Sequence, residues 1–217
     1  MKRILALRCD NLDKKLDNKE SRALLVNLSI IALLLIGFWN FGQGAYIYAK
    51  AYLAQGLLER AWQQTLSGET EVRPWPWADT YPVARLRVPS RNIDQVVLSG
   101  ATGRTLAFGP GHMLASTLPG QGGVTVLSAH RDTHFGFLQN VRKGEEIVVQ
   151  LANGQEHMFT VSDMRVTDVR EAGLTLPPQI EGLVLITCYP FNVIAPTGPL
   201  RYVVSAVPNV SGYALNP

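Results

Sequence analysis

From Ala23 to Ala49 the chain carries no Asp, Glu, Lys or Arg. Within that run "ALLVNLSIIALLLIGFWNF" is apolar enough and long enough to cross a hydrocarbon core, which needs about 20 residues. A buried core helix would not extend so far without a charge, so the sequence predicts a transmembrane helix over 23–49. A cleavable signal would have an apolar region of about 7–15 residues ending in a small-residue cleavage site. The run here is longer and ends among Trp39, Phe41, Tyr46 and Tyr48, an interfacial aromatic belt. An uncleaved single-pass anchor is therefore expected. The flank at 1–22 holds Lys2, Arg3, Arg8, Lys14, Lys15, Lys19 and Arg22, whereas only Lys50 follows closely on the other side. Basic flanks stay in the cytosol, so residues 1–22 form a cytosolic tail and the bulk of the chain lies outside.

Beyond the anchor, "YAKAYLAQGLLERAWQQTLSG" spaces Ala54, Leu57, Leu58, Ala61 and Trp62 as one apolar helical face. The segment "PWPWADTYP" then stops any helix, because proline lacks the amide donor and clashes with the preceding turn. Residues 50–81 thus read as a helical stalk and a Trp/Pro-rich linker. Trp75 and Trp77 would sit at the bilayer surface, fill a groove on the following domain, or clasp the linker.

The remaining segment, 82–217, is long enough to bury a core without a disulfide scaffold. Strands are expected at "VARLRV", "IDQVVL", "VTVLSAH", "EIVVQL", "HMFTVSDMRVT", "LVLITC" and "RYVVSAV", with turns at "KGEE" and "ANGQ". Short strands with little helical periodicity indicate an all-β barrel or sandwich. A net charge of +3, scattered along the chain, gives no basis for a nucleic-acid partner.

Only Cys9 and Cys188 occur, and this topology puts them on opposite sides of the membrane, unable to pair. Cys188 is then a lone thiol outside the cytosol. A free cysteine is most often an inert core residue. In "LVLITCYPF", however, it stands where an apolar strand ends and a Pro-containing loop begins, a place suited to a nucleophile. An ordinary thiol is only a few per cent ionised near neutrality and needs a base or a positive neighbour. His130 also ends an apolar strand, and two strands ending at one rim would bring imidazole and thiol together. His112, in "GPGHM", lies in a Gly-rich turn and braces loops; His157 falls within a hairpin strand. His134 follows His130 at a spacing that hints at zinc, but no helix and no third ligand accompany it, so no metal is assigned. Arg201 opens the last strand. It is either a surface salt-bridge partner or, if its strand neighbours that of Cys188, a group for an oxyanion.

Taken in order, "GPGHM", "LPGQGGVTVLSAHRDTHFGFLQNVRKGEEIVV", "LVLITCYPF" and "GPLRYVV" resemble the sortase family from about Pro82 to Val207. "TCYPF" and "PWPWAD" resemble the sortases of Gram-negative bacteria more than the Gram-positive housekeeping type. The resemblance implies an eight-stranded sortase-type β-barrel with short helices. It also implies a cysteine transpeptidase, with its catalytic domain in the periplasm and its anchor in inner-membrane lipid. Cys188 matches the family nucleophile, His130 the histidine that moves the proton, and Arg201 the arginine that positions peptide and oxyanion. The implied substrate is a protein carrying a C-terminal LPXTG-like sorting signal, released from a thioacyl-enzyme to an amine acceptor. No cofactor is implied. Ala129 departs from the pattern, standing where many members have glycine, and no acidic loop cluster licenses the calcium site of some members. Two rival readings are a membrane-anchored cysteine peptidase, with water as acceptor, and a non-catalytic β-domain in which Cys188 is core.

Overall fold

In the computed structural model, residues 2–170, 181–193 and 198–209 are described, with side chains from Arg22 onward. The chain divides into two compact units, Met1–Leu53 and Ala54–Pro217. Helix α1 (Lys2–Leu66) supplies the whole of the first unit's described structure and the opening segment of the second.

In the first unit the side chains of the apolar run face outward; Leu33, Phe38 and Phe41 are 68%, 78% and 76% exposed. The segment is long and apolar enough to span a membrane. Two of its polar side chains donate to the helix's own backbone. Ser29 Oγ donates to the Leu25 carbonyl at 2.8 Å, and Asn40 Nδ2 to that of Ile36 at 2.8 Å, so each directs a donor into the helix backbone.

The second unit is a closed eight-stranded barrel. Its strands are β1 (Pro82–Val88), β2 (Ile93–Ser99), β3 (Gly111–His112), β4 (Val124–Ser128), β5 (Glu146–Leu151), β6 (Glu156–Asp168), β7 (Gly182–Cys188) and β8 (Leu200–Pro208). One short helix, α2 (Gly103–Leu106), is capped by Thr102, whose side chain accepts from the Thr105 amide. Around the barrel the order is β1-β2-β3-β4-β7-β8-β6-β5. Closure leaves no open edge. The strands expected at "VARLRV", "IDQVVL", "EIVVQL", "HMFTVSDMRVT", "LVLITC" and "RYVVSAV" all form. β3 replaces the turn expected at "GPGHM", and its two residues form a strand only because β2 and β4 flank them on either side. β4 closes its ladder at Ser128, two residues short of the expected end at His130.

Alternation packs the barrel interior. Ala84, Leu86 and Val88 of β1, Leu127 and Ala129, Leu183 and Leu185 of β7, and Val204 and Ala206 of β8 meet Phe135, Leu138 and Phe159 in one core. Outside the barrel but within the same unit, Leu58, Ala61 and Trp62 are buried, at 1%, 2% and 0% exposure, bearing out the apolar face read at that spacing. Glu59 ties this stretch to β1 through two bonds from Arg85 Nη1, at 2.8 and 3.0 Å. Gln55 Nε2 adds a bond to the Phe108 carbonyl at 2.8 Å. In the linker, Trp75 packs edge-on against Phe108 with ring centroids 4.8 Å apart, while Trp77 is 82% exposed. Thr80 is buried and donates to the Ser99 carbonyl at 2.8 Å, fixing the approach to β1.

Candidate active site

β4 and β7 run parallel as neighbours, with Val124 opposite Gly182 and Ser128 opposite Ile186. Just past that ladder the Ala129 amide donates to the Ile186 carbonyl at 3.3 Å, and Thr187 Oγ1 donates to the Ala129 carbonyl at 2.7 Å. The residues next in chain after these two anchors are His130 and Cys188. Across the other side of β7, antiparallel β8 places Arg201 directly opposite Cys188. Such partners have Cα atoms about 4.5–5.5 Å apart and side chains on one face. The three residues singled out in sequence therefore come to one rim of the barrel. His130 is exposed, whereas Cys188 and Arg201 are half-buried.

Strand alternation also fixes which face they share. Thr187 and Tyr202 point inward, and Tyr202 packs on the main core. Ile186 and Val203 point outward, where with Val126 and Val184 they form a second small apolar cluster. Cys188 and Arg201 continue that outward stripe at its end. Arg201 Nη1 donates to the carbonyls of Gly198 and Leu200, at 3.0 and 2.9 Å, which draws the guanidinium toward the start of β8.

The turn after His130 is held from below. The His130 carbonyl accepts from the Phe135 amide at 3.0 Å, and Phe135 is fully buried. Sequence reasoning passes over Arg131. Its side chain is only 6% exposed, with Nη1 donating to the Pro190 carbonyl and Nη2 to that of Val193 at 2.8 Å. Its Nε meets exposed Asp132 at 3.2 Å. A signal for it is present, an arginine directly after a strand-end histidine, but its targets lie some sixty residues away. The segment after Cys188 is also gripped by Tyr189, Phe191 and Tyr202, whose rings pack at centroid separations of 5.3 to 6.3 Å. Asn192 Nδ2 adds a bond to Gln139 Oε1 at 3.2 Å.

Of the other histidines, His134 stays near His130, while His112 and His157 lie elsewhere. His112 is buried on β3, its Nε2 3.2 Å from the Thr117 carbonyl and from Ser116 Oγ, and so it braces that loop. Burial holds its pKa below the usual histidine value. His134 is likewise shifted down, first by burial and to a lesser degree by the nearby His130. His157 packs under Gly120; its Nε2 is buried without a hydrogen-bond partner among the described residues.

Residues 86–209 match the sortase domain family. Over 120 residues, 55% of this chain and 60% of the relative, the chain is 32% identical to Sortase D of Bacillus subtilis (strain 168). It thus spans less than two thirds of that curated relative's length. Among solved structures, a Clostridium perfringens Sortase D5 transpeptidase superposes with a TM-score of 0.55 at 18% identity, over 73% of this chain and 99% of that one. Sortase C-1 from Actinomyces oris gives a TM-score of 0.52 at 29% identity, over 59% and 74%.

These relatives correct two expectations. The likeness to Gram-negative sortases and the periplasmic location both fail, because the organisms of the relatives are Gram-positive and have no periplasm. Both expectations rest on "TCYPF" and "PWPWAD", of whose aromatic residues Tyr189 and Phe191 pack on Tyr202 and Trp75 on Phe108, while Trp77 is exposed. Packing of that kind serves the barrel and carries no information about the cell envelope. With the domain match covering more than half its length, this chain belongs to the sortase family.

Proposed function

We propose that the protein is a membrane-anchored cysteine transpeptidase that cleaves an LPXTG-like sorting signal and passes the acyl group to an amine. The observation that carries this reading is the parallel adjacency of β4 and β7, which ends both strands at one rim beside Arg201. In this reading the Cys188 thiol passes its proton to His130 as its sulfur attacks the carbonyl carbon of the scissile peptide bond. Arg201, anchored at the start of β8, stabilises the negative charge that develops on the carbonyl oxygen. Collapse of that intermediate breaks the C–N bond, and His130 donates a proton to the departing amine. The acyl group remains on Cys188 as a thioester, dividing one difficult displacement into two. An incoming amine then gives its proton to His130 as it attacks, the C–S bond breaks, and His130 returns that proton to the sulfur, restoring the thiol.

The basic flank at 1–22 and the apolar segment support an N-terminus in the cytosol and a catalytic domain on the outer side of the cytoplasmic membrane. A sorting-signal protein and the membrane lipid are then its partners, with the acceptor defined only as an amine. Mass spectrometry of full-length protein in detergent, incubated with an LPXTG-type peptide and an amine, tests the reading. A peptide–amine conjugate is expected, absent in Cys188→Ala and reduced steeply in His130→Ala and Arg201→Ala. Cleaved peptide without conjugate would replace transfer by hydrolysis. Equal behaviour of wild type and Cys188→Ala would overturn the assignment.

A further inference from the structure

We propose that Arg131 is a positioning residue: a two-pronged clamp, from the residue next to His130 to the segment after Cys188, that holds imidazole and thiol in register. The inference rests on the Cys188–His130 pairing proposed above. Arg131 is almost wholly buried, and it places its two terminal nitrogens on two carbonyls, those of Pro190 and Val193. A buried guanidinium is costly unless its donors are satisfied, so these bonds hold the side chain in one pose. The clamp acts where the β4–β7 ladder has already ended. Among the described residues no strand pairing holds the two rim segments together beyond Thr187, and Arg131 bridges them. Lysine keeps the charge but not the planar fork that sets one terminal nitrogen on each carbonyl.

The test uses full-length protein in detergent and follows alkylation of Cys188 by iodoacetamide across pH, resolved by peptide so that Cys9 does not contribute. Wild type, His130→Ala, Arg131→Lys and Asp132→Asn are compared, alongside thermal unfolding. In wild type the profile should carry a step that His130→Ala removes. Arg131→Lys should lose that step while still folding, and Asp132→Asn, altering only an exposed partner, should keep it. Where an LPXTG-type peptide is turned over, Arg131→Lys should lower kcat about 10- to 100-fold, the scale of a 1 Å misplacement, with KM little changed. If Arg131→Lys does not fold, Gln139→Ala, which loosens the same segment through Asn192, should weaken the step.

A folded Arg131→Lys whose profile superimposes on wild type would overturn the proposal and leave Arg131 a merely structural residue. So would a wild-type profile indifferent to His130→Ala, since nothing would remain to be positioned. A step present in wild type and lost in folded Arg131→Lys, with no peptide turned over, would refute transpeptidation while supporting the clamp.

Discussion

Thr187→Val should destabilise the barrel even though it makes a buried site more apolar. Thr187 is 2% exposed, and its Oγ1 donates to the carbonyl of Ala129, itself 3% exposed, at 2.7 Å. Valine replaces the hydroxyl with a methyl of similar size, so the main loss is the bond, and a carbonyl is left inside without it. That loss costs about 1–3 kcal/mol. For a folded unit of this size each kcal/mol moves Tm by about 2–4 °C, so the fall should be about 2–12 °C. Thr187→Ser keeps the donor and forfeits one methyl, about 0.5–1.5 kcal/mol. The order of stability is therefore wild type, Ser, Val, the reverse of what burial alone would give for the last two. Near-UV circular dichroism melts of the three proteins in one detergent read it directly. Because the bond ties the ends of β4 and β7, valine should also slow peptide transfer more than serine does. A valine variant that melts at or above the serine one, with wild-type turnover, would refute the reasoning.

Gly120→Ala should cost at least about 1–2 kcal/mol, because φ is +78° and the added Cβ would lie 2.7 Å from His157 Cε1; urea unfolding checks it. Trp62→Ala should cost about 3–5 kcal/mol, since the ring is fully buried outside the barrel, and should expose the stretch from Ala54 to limited proteolysis. Burial holds His112 below its ordinary pKa of 6.5, so the unfolded chain binds the proton more readily. Its contribution is present above pH 6.5 and is lost as pH falls below it, so Tm should drop toward pH 5 in wild type and less steeply in His112→Gln.

Period-2 alternation makes most strands legible, because a half-buried strand writes its own pattern whatever it pairs with. β3 escapes, since two residues hold no period. Cys188, His130 and Arg201 are each conspicuous, a nucleophile or charge at the end of an apolar run. Arg131 is not, because its meaning lies in the carbonyls of Pro190 and Val193, and a carbonyl has no sequence signature. The inference about the envelope goes astray for a related reason: Trp75, Tyr189 and Phe191 report the rings they pack on.

By itself, then, the sequence determined the membrane-spanning segment, the β-rich character of the domain beyond the linker, and the side chains able to do chemistry. Those properties depend on composition and spacing within some twenty residues. Only the tertiary structure decided that β4 lies parallel to β7, that Arg201 faces Cys188, and that Arg131 crosses to the segment beyond the thiol. A strand's hydrogen-bonding groups are the same all along its length. Which partner it takes is settled by barrel closure and by which faces must share the core, and those are properties of the whole chain.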